Sequence, residues 1–177
     1  MSQTKSDALV FYGATGDLAY KKIFPALHLM VKRGNLNAPI IGVARGDYDL
    51  EKLRARAKES IQKYGKYEEA TFAKFCSLLA FVGGDYTDQE TFRRIREALG
   101  SASKPTHYLA IPPVLFPTII AQLDQSGCAK GARIIVEKPF GTDFESARAL
   151  NKVLLAKFSE SAIYRICLLY TSDAADE

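Results

Sequence analysis

Short, continuously apolar runs punctuate the chain, each followed by a longer stretch of helical period. Residues 8–12 (ALVFY) form the first run, and a glycine closes it. A run that is apolar at every position predicts a strand buried on both faces. Similar runs recur at 39–44 (PIIGVA), 79–82, 107–111 (HYLAI) and 133–136 (RIIV), and a sixth is expected within 161–166. Residues 17–32 carry Leu18, Ile23, Leu27 and Val31 at mostly helical spacing, and Gly34 and Asn35 stop them. Pro25 inside that stretch predicts a kink or a break. Residues 50–64 set Leu53, Ala57 and Ile61 on one face. Stretches 68–78, 88–99, 114–125 and 144–158 complete the helices, with Asp88 as an N-cap. Strands alternating with helices predict a doubly wound α/β domain, a mainly parallel sheet with helices on both faces.

Composition narrows the function classes. A chain of 177 residues corresponds to one domain, and 47% apolar with 25% charged residues excludes disorder, collagen-like repeats and a disulfide scaffold. Lys+Arg 24 against Asp+Glu 20 gives +4. That excess is mild and has no basic run, so no nucleic-acid partner is expected. Cys76, Cys128 and Cys167 lie far apart without a CxxC pair, which predicts reduced thiols, a cytoplasmic location and no metal site. Neither a signal peptide nor a membrane span is expected, because the N-terminus is polar and the apolar runs are short.

The candidate chemistry sits at the ends of the predicted strands. The first strand runs into Gly13-Ala14-Thr15-Gly16-Asp17-Leu18. Glycines there let a backbone approach a pyrophosphate, and the N–H groups of the following helix favour the anion. The spacing is GxxG rather than GxGxxG, so a plain strand–helix turn remains the competing reading. The second strand ends at Arg45, where an arginine suits an adenosine 2′-phosphate and hence NADP, with the Thr15 hydroxyl as a second contact. Asp47 is the counter-candidate, since an acid at the ribose corner would disfavour NADP. Glu137 and Lys138 follow the fifth strand, again where ligands bind in open α/β sheets. Lys21 and Lys22 follow the glycine turn and are equally readable as solvated lysines. His28 reads as a packed histidine, and His107 has no partner acid at recognisable spacing.

Taken together, GATGDLAYKKIFPAL (13–27), IIGVAR (40–45), YLAIPP (108–113), RIIVEKPFGTD (133–143) and Tyr164-Arg165-Ile166 resemble the glucose-6-phosphate dehydrogenase family, which spells the first stretch GASGDLAxKKxxPAL. The resemblance implies a Rossmann-like domain over residues 1–166. It also implies oxidation of glucose 6-phosphate at C1 with NADP, giving 6-phosphogluconolactone at the start of the pentose phosphate pathway. It implies that Gly13, Ala14, Thr15, Gly16, Asp17, Leu18 and Arg45 hold NADP, and that Ile111 and Pro112 border the nicotinamide. Glu137 and Lys138 would line the cofactor site, Lys138 and Lys22 would serve the substrate, and Asp85 and Tyr86 would flank the adenosine half. Members of the family are expected to form homo-oligomers.

One departure stands beside the match. After Tyr-Arg-Ile the family continues Asp-His-Tyr-Leu-Gly-Lys, whereas this chain reads Cys167-Leu168-Leu169-Tyr170-Thr171-Ser172. The expectation is that residues 167–177 are a frameshifted or non-native tail. The family's second α+β domain, with its general-base histidine, would then be absent, no catalytic residue would remain, and the chain would be inactive by itself. Two other readings stay open: a stand-alone nucleotide-binding module, and another NAD(P)-dependent sugar oxidoreductase.

Overall fold

A computed structural model describes residues 5–137 and 143–166. Among these, six strands form one sheet: β1 (Ala8–Tyr12), β2 (Ile40–Ala44), β3 (Leu79–Gly83), β4 (Pro105–Leu109), β5 (Arg133–Glu137) and β6 (Ile163–Ile166). Every pairing is parallel, in the order β3-β2-β1-β4-β5-β6. This is the doubly wound, Rossmann-like order, and it reverses direction between β1 and β4. The helices are α1 (Phe24–Lys32), α2 (Leu50–Tyr64), α3 (Glu69–Leu78), α4 (Gln89–Leu99), α5 (Phe116–Gln125) and α6 (Phe144–Leu155). Among the described residues, no helix is long and apolar enough to cross a membrane.

Successive side chains of a strand point to opposite faces. Val10 and Tyr12 of β1, with Ile41 and Val43 of β2, pack in the layer of α4, α5 and α6. Phe11, Ile40 and Ala44 pack in the layer of α1, α2 and α3. Both faces of β1 and β2 are therefore covered, which is why their sequences show no polar alternation. Side-chain caps open three helices. Asp49 accepts from the Lys52 N–H at 2.7 Å and Asp88 from the Glu90 N–H at 3.0 Å. Asp143 and Ser146 form a capping box at α6.

Three elements differ from the sequence expectation. The helix expected over 17–32 contains a π-helical turn, Ala19–Ile23, before α1 takes over with Pro25 in its first turn. Proline lacks an N–H, so the break falls where a backbone bond would be lost anyway. The Ser60 hydroxyl of α2, which is fully buried, donates to the Tyr20 carbonyl inside this wide turn. β4 starts at Pro105 and ends at Leu109, two residues earlier than the apolar run suggested. Proline is tolerated at the first position of a strand, and the Ala110 N–H turns back to the Tyr108 carbonyl at 3.2 Å ahead of Pro112 and Pro113. α6 ends at Leu155, where the Ala156 N–H bonds back to Leu154 and Lys152.

His28 is buried and stacks on Tyr67 with ring centroids 6.4 Å apart, as a packed histidine should. Cys76 and Cys128 are free thiols. His107 is fully buried between Tyr12 and the Cys128 carbonyl. A carbonyl can only accept, so Nε2 carries the proton toward Cys128 at 3.0 Å and Nδ1 accepts from the Tyr12 hydroxyl at 3.2 Å. Burial pushes the imidazole from its ordinary 6.5 down to about 4. A depressed pKa means that the unfolded chain takes up the proton first. The neutral ring's stability is thus present above pH 6.5 and is lost as the pH falls toward 4. Between pH 7 and pH 4 the chain should lose about 3 kcal/mol more than a His107→Gln chain. Urea unfolding of both at the two pH values checks this, and parallel pH profiles would contradict it.

Candidate functional site

The residues singled out from the sequence gather at the C-terminal edge of the sheet. Gly13 leaves β1 with φ +81°, a backbone state that suits glycine. It faces the segment leaving β4 across the point where strand order reverses. A Cβ added to Gly13 would fall closer than 3.0 Å to the Ala110 carbonyl oxygen, and 3.1 Å from both its carbon and the Ile111 Cγ2. The Gly13 N–H donates to the Tyr86 hydroxyl at 2.9 Å and also reaches the Val43 carbonyl at 3.0 Å. The Ala14 N–H reaches the same carbonyl at 3.1 Å, and the Gly16 N–H closes the turn on the Gly13 carbonyl at 2.9 Å.

Ala14 is buried, Thr15 and Leu18 are half-buried, and Gly16 and Asp17 are exposed. The helical run begins at Asp17, with the Tyr20 N–H bonded to the Gly16 carbonyl at 3.1 Å. The positive end of its dipole lies at the edge of the sheet, where it favours an anion. Asp17 pairs with Lys21 at 3.2 Å, and Lys22 is exposed on the same π turn.

Arg45 leaves β2 into an open cleft of about 790 Å³ that it shares with Tyr48, Gly83, Gly84, Asp85 and Arg94. Its guanidinium carbon stands 5.0 Å from the Tyr86 ring centroid, and its Nε lies 3.6 Å from an Asp85 carboxylate oxygen. Asp85 accepts from the backbone N–H and hydroxyl of Thr87, and these bonds, with Arg45 behind them, hold its carboxyl below the usual carboxylate range. Tyr86 is buried, and burial pushes its phenol up. Its ring carries Arg45 while its hydroxyl holds the Gly13 turn and donates to Val43 at 3.3 Å. Asp47, the rival for the ribose corner, turns instead to Lys52 at 3.6 Å.

On the other side of the switch point, Ile111 is half-buried and Pro112 exposed just past β4. Glu137 ends β5 and accepts a hydrogen bond from the Tyr108 hydroxyl of β4. Burial raises the Glu137 carboxyl above its ordinary value, against the lowering effect of that bond. It raises the Tyr108 phenol too, reinforced by the adjacent carboxylate. Lys138 lies outside the described residues.

Sequence reasoning had not singled out Tyr108 or Arg94. Tyr108 sits within an apolar strand and reads as core until its register against β5 brings it to Glu137. Arg94 is one of three arginines on α4, with Arg93 and Arg96, and nothing in its spacing sets it apart.

Comparison with known proteins gives the family of the chain. The family model described as glucose-6-phosphate dehydrogenase, NAD binding domain, matches residues 10–168. The chain belongs to the glucose-6-phosphate dehydrogenase family. Within that family, glucose-6-phosphate 1-dehydrogenase 1 of Mycobacterium bovis is 40% identical over 161 residues, covering 91% of this chain and 34% of the relative. The cytoplasmic glucose-6-phosphate 1-dehydrogenase 6 of Arabidopsis thaliana is 35% identical over 178 residues, covering 90% and 35%. Among solved structures, glucose-6-phosphate 1-dehydrogenase from Mycobacterium avium superposes with a TM-score of 0.87 at 41% identity, covering 92% of this chain and 36% of that one. A glucose-6-phosphate dehydrogenase in complex with glucose 6-phosphate superposes with a TM-score of 0.81 at 33% identity, covering 93% and 37%. The chain thus spans about a third of the length of the relatives it matches, and the part it spans is the nicotinamide-dinucleotide-binding domain.

Proposed function

We propose that this chain is the coenzyme-binding part of an enzyme that oxidises glucose 6-phosphate at C1 and uses NADP as the acceptor. The observation that carries the reading is the continuous link from the Gly13 turn through Tyr86 to Arg45. That link aligns a glycine turn at a helix N-terminus and a cation suited to a 2′-phosphate along one sheet edge. The fit is tested by the turn itself. Gly13 lets the chain turn sharply against Ala110, and the helical run from Asp17 presents its N-terminus at the same edge.

In this reading residues 13–18 hold the pyrophosphate: the Gly13, Ala14 and Gly16 N–H groups shape the turn by bonding to Val43, Tyr86 and Gly13, and the helix N-terminus behind it faces the anion. Arg45 neutralises the 2′-phosphate, and Asp85 and Tyr86 hold Arg45 in place. Ile111 and Pro112 wall the nicotinamide from solvent, and Glu137, fixed by Tyr108, lines the same end of the sheet. Lys22 and Lys138 serve the substrate side. The bound nicotinamide supplies the hydride acceptor, while the protein supplies binding and orientation. The Arabidopsis relatives named cytoplasmic support a cytoplasmic location.

Calorimetric titration of the 177-residue chain with NADP and NAD tests the reading. NADP should bind at least about tenfold more tightly, the worth of one charge-assisted contact. Equal affinities would remove Arg45 from the 2′-phosphate, and no binding of either dinucleotide would overturn the reading altogether.

A further inference from the structure

The cleft beside Arg45 holds a second guanidinium. Arg94 reaches it from α4, which packs on β3 and β2. Its Nε is buried and has no hydrogen-bond partner among the described residues. The side chain lies against Gly84, where an added Cβ would stand 2.8 Å from one Arg94 terminal nitrogen. The same Cβ would press harder on the Thr91 hydroxyl, so Gly84 lets α4 lie close to the end of β3 and brings Arg94 with it. Nearby carboxylates are otherwise engaged. Asp85 bonds to Thr87 and pairs with Arg45. Glu90, one turn earlier on α4, feels the charge of Arg94 but bonds to Arg93.

A buried N–H donor without an acceptor calls for a partner. A phosphate monoester is dianionic near neutral pH and offers three acceptor oxygens, which suits two guanidinium forks better than one. Arg45 already shares its charge with Asp85, and Asp49 also lines the cleft, so Arg94 is the cation that offsets the second carboxylate. We propose that Arg94 is a second anchor for the adenosine 2′-phosphate, closing on it from α4 while Arg45 closes from β2. This rests on the NADP reading above and adds to it a specificity-determining residue.

The test uses the 177-residue chain with adenosine 2′,5′-bisphosphate and adenosine 5′-monophosphate as probes, titrated calorimetrically. Arg94→Gln should weaken the bisphosphate about tenfold and leave the monophosphate unchanged, as expected for one lost charge-assisted contact. Arg94→Lys should fall between, because an ammonium keeps the charge and loses the fork. Arg94→Met, which keeps the aliphatic stem, repeats the measurement if the glutamine variant fails to fold by circular dichroism. Unchanged bisphosphate affinity, or equal losses for both probes, would overturn the inference. If Arg45→Ala weakens the bisphosphate and Arg94→Gln does not, the Arg94 role falls and the NADP reading stands. If the unmutated chain fails to distinguish the two probes, both fall.

Discussion

Gly13→Val should yield a chain that is measurably less stable and does not bind the dinucleotide. Two costs combine at this position. With φ at +81°, a β-branched residue is placed in a left-handed backbone state that it resists. The added Cβ also meets the Ala110 carbonyl oxygen inside 3.0 Å, and this neighbour is backbone rather than the far end of a flexible side chain. Relief would require β1 and the exit of β4 to move apart at the middle of the sheet. The expected loss is about 3 kcal/mol or more, a large share of the roughly 5–15 kcal/mol that holds a domain of this size together. The same movement would pull the Gly13 N–H from the Tyr86 hydroxyl and unseat the surface beneath Arg45. Urea unfolding followed by circular dichroism, with NADP titration of whatever remains folded, checks both halves. A variant with an unchanged midpoint and unchanged NADP affinity would put the phosphate site somewhere else.

Arg45→Ala should act on binding and hardly on stability. The side chain is exposed, and its pair with Asp85 spans 3.6 Å in solvent. Such a pair contributes about 0–1 kcal/mol, so the unfolding midpoint should barely move. NADP affinity should drop about tenfold or more, because a charge-assisted contact to phosphate contributes roughly 1.5–3 kcal/mol. NAD carries no 2′-phosphate and should bind almost as before. Raising the salt concentration should narrow the difference between the two chains, since the contact lies near the surface. Calorimetry with both dinucleotides measures the contrast. Equal losses would point to a general role in holding the cleft and would return Asp47 to consideration, despite its pairing with Lys52.

The fold was largely legible because its strongest signals are local. The uninterrupted apolar runs at residues 8–12 and 40–44 predict strands covered on both faces, and β1 and β2 are covered on both. Alternation of such runs with helical stretches implies parallel pairing, since parallel strands need long crossovers. Helix boundaries followed where the signal was a side chain bonding to its own neighbours, as with Asp88. They failed where a distant residue decided. The π turn at Ala19–Ile23 has its freed Tyr20 carbonyl answered by Ser60, forty positions away. β4 begins at Pro105 because Ala8 lies beside it in the sheet.

The candidate site divides along the same line. By itself the sequence determined which elements form, that Gly13 lies at a strand–helix turn, and that Arg45 leaves the second strand. These are matters of local backbone preference and short spacing. Only the tertiary structure decided why Gly13 must be glycine, namely that Ala110, 97 positions later, occupies the space a side chain would need. It also decided that Tyr86 lies beneath both Gly13 and Arg45, that Tyr108 answers Glu137, and that Arg94 shares a cleft with Arg45. Each is a contact between strand ends or helices brought together by sheet order. No local pattern of apolar and polar residues encodes which ends will meet, because that follows from the packing of the whole chain.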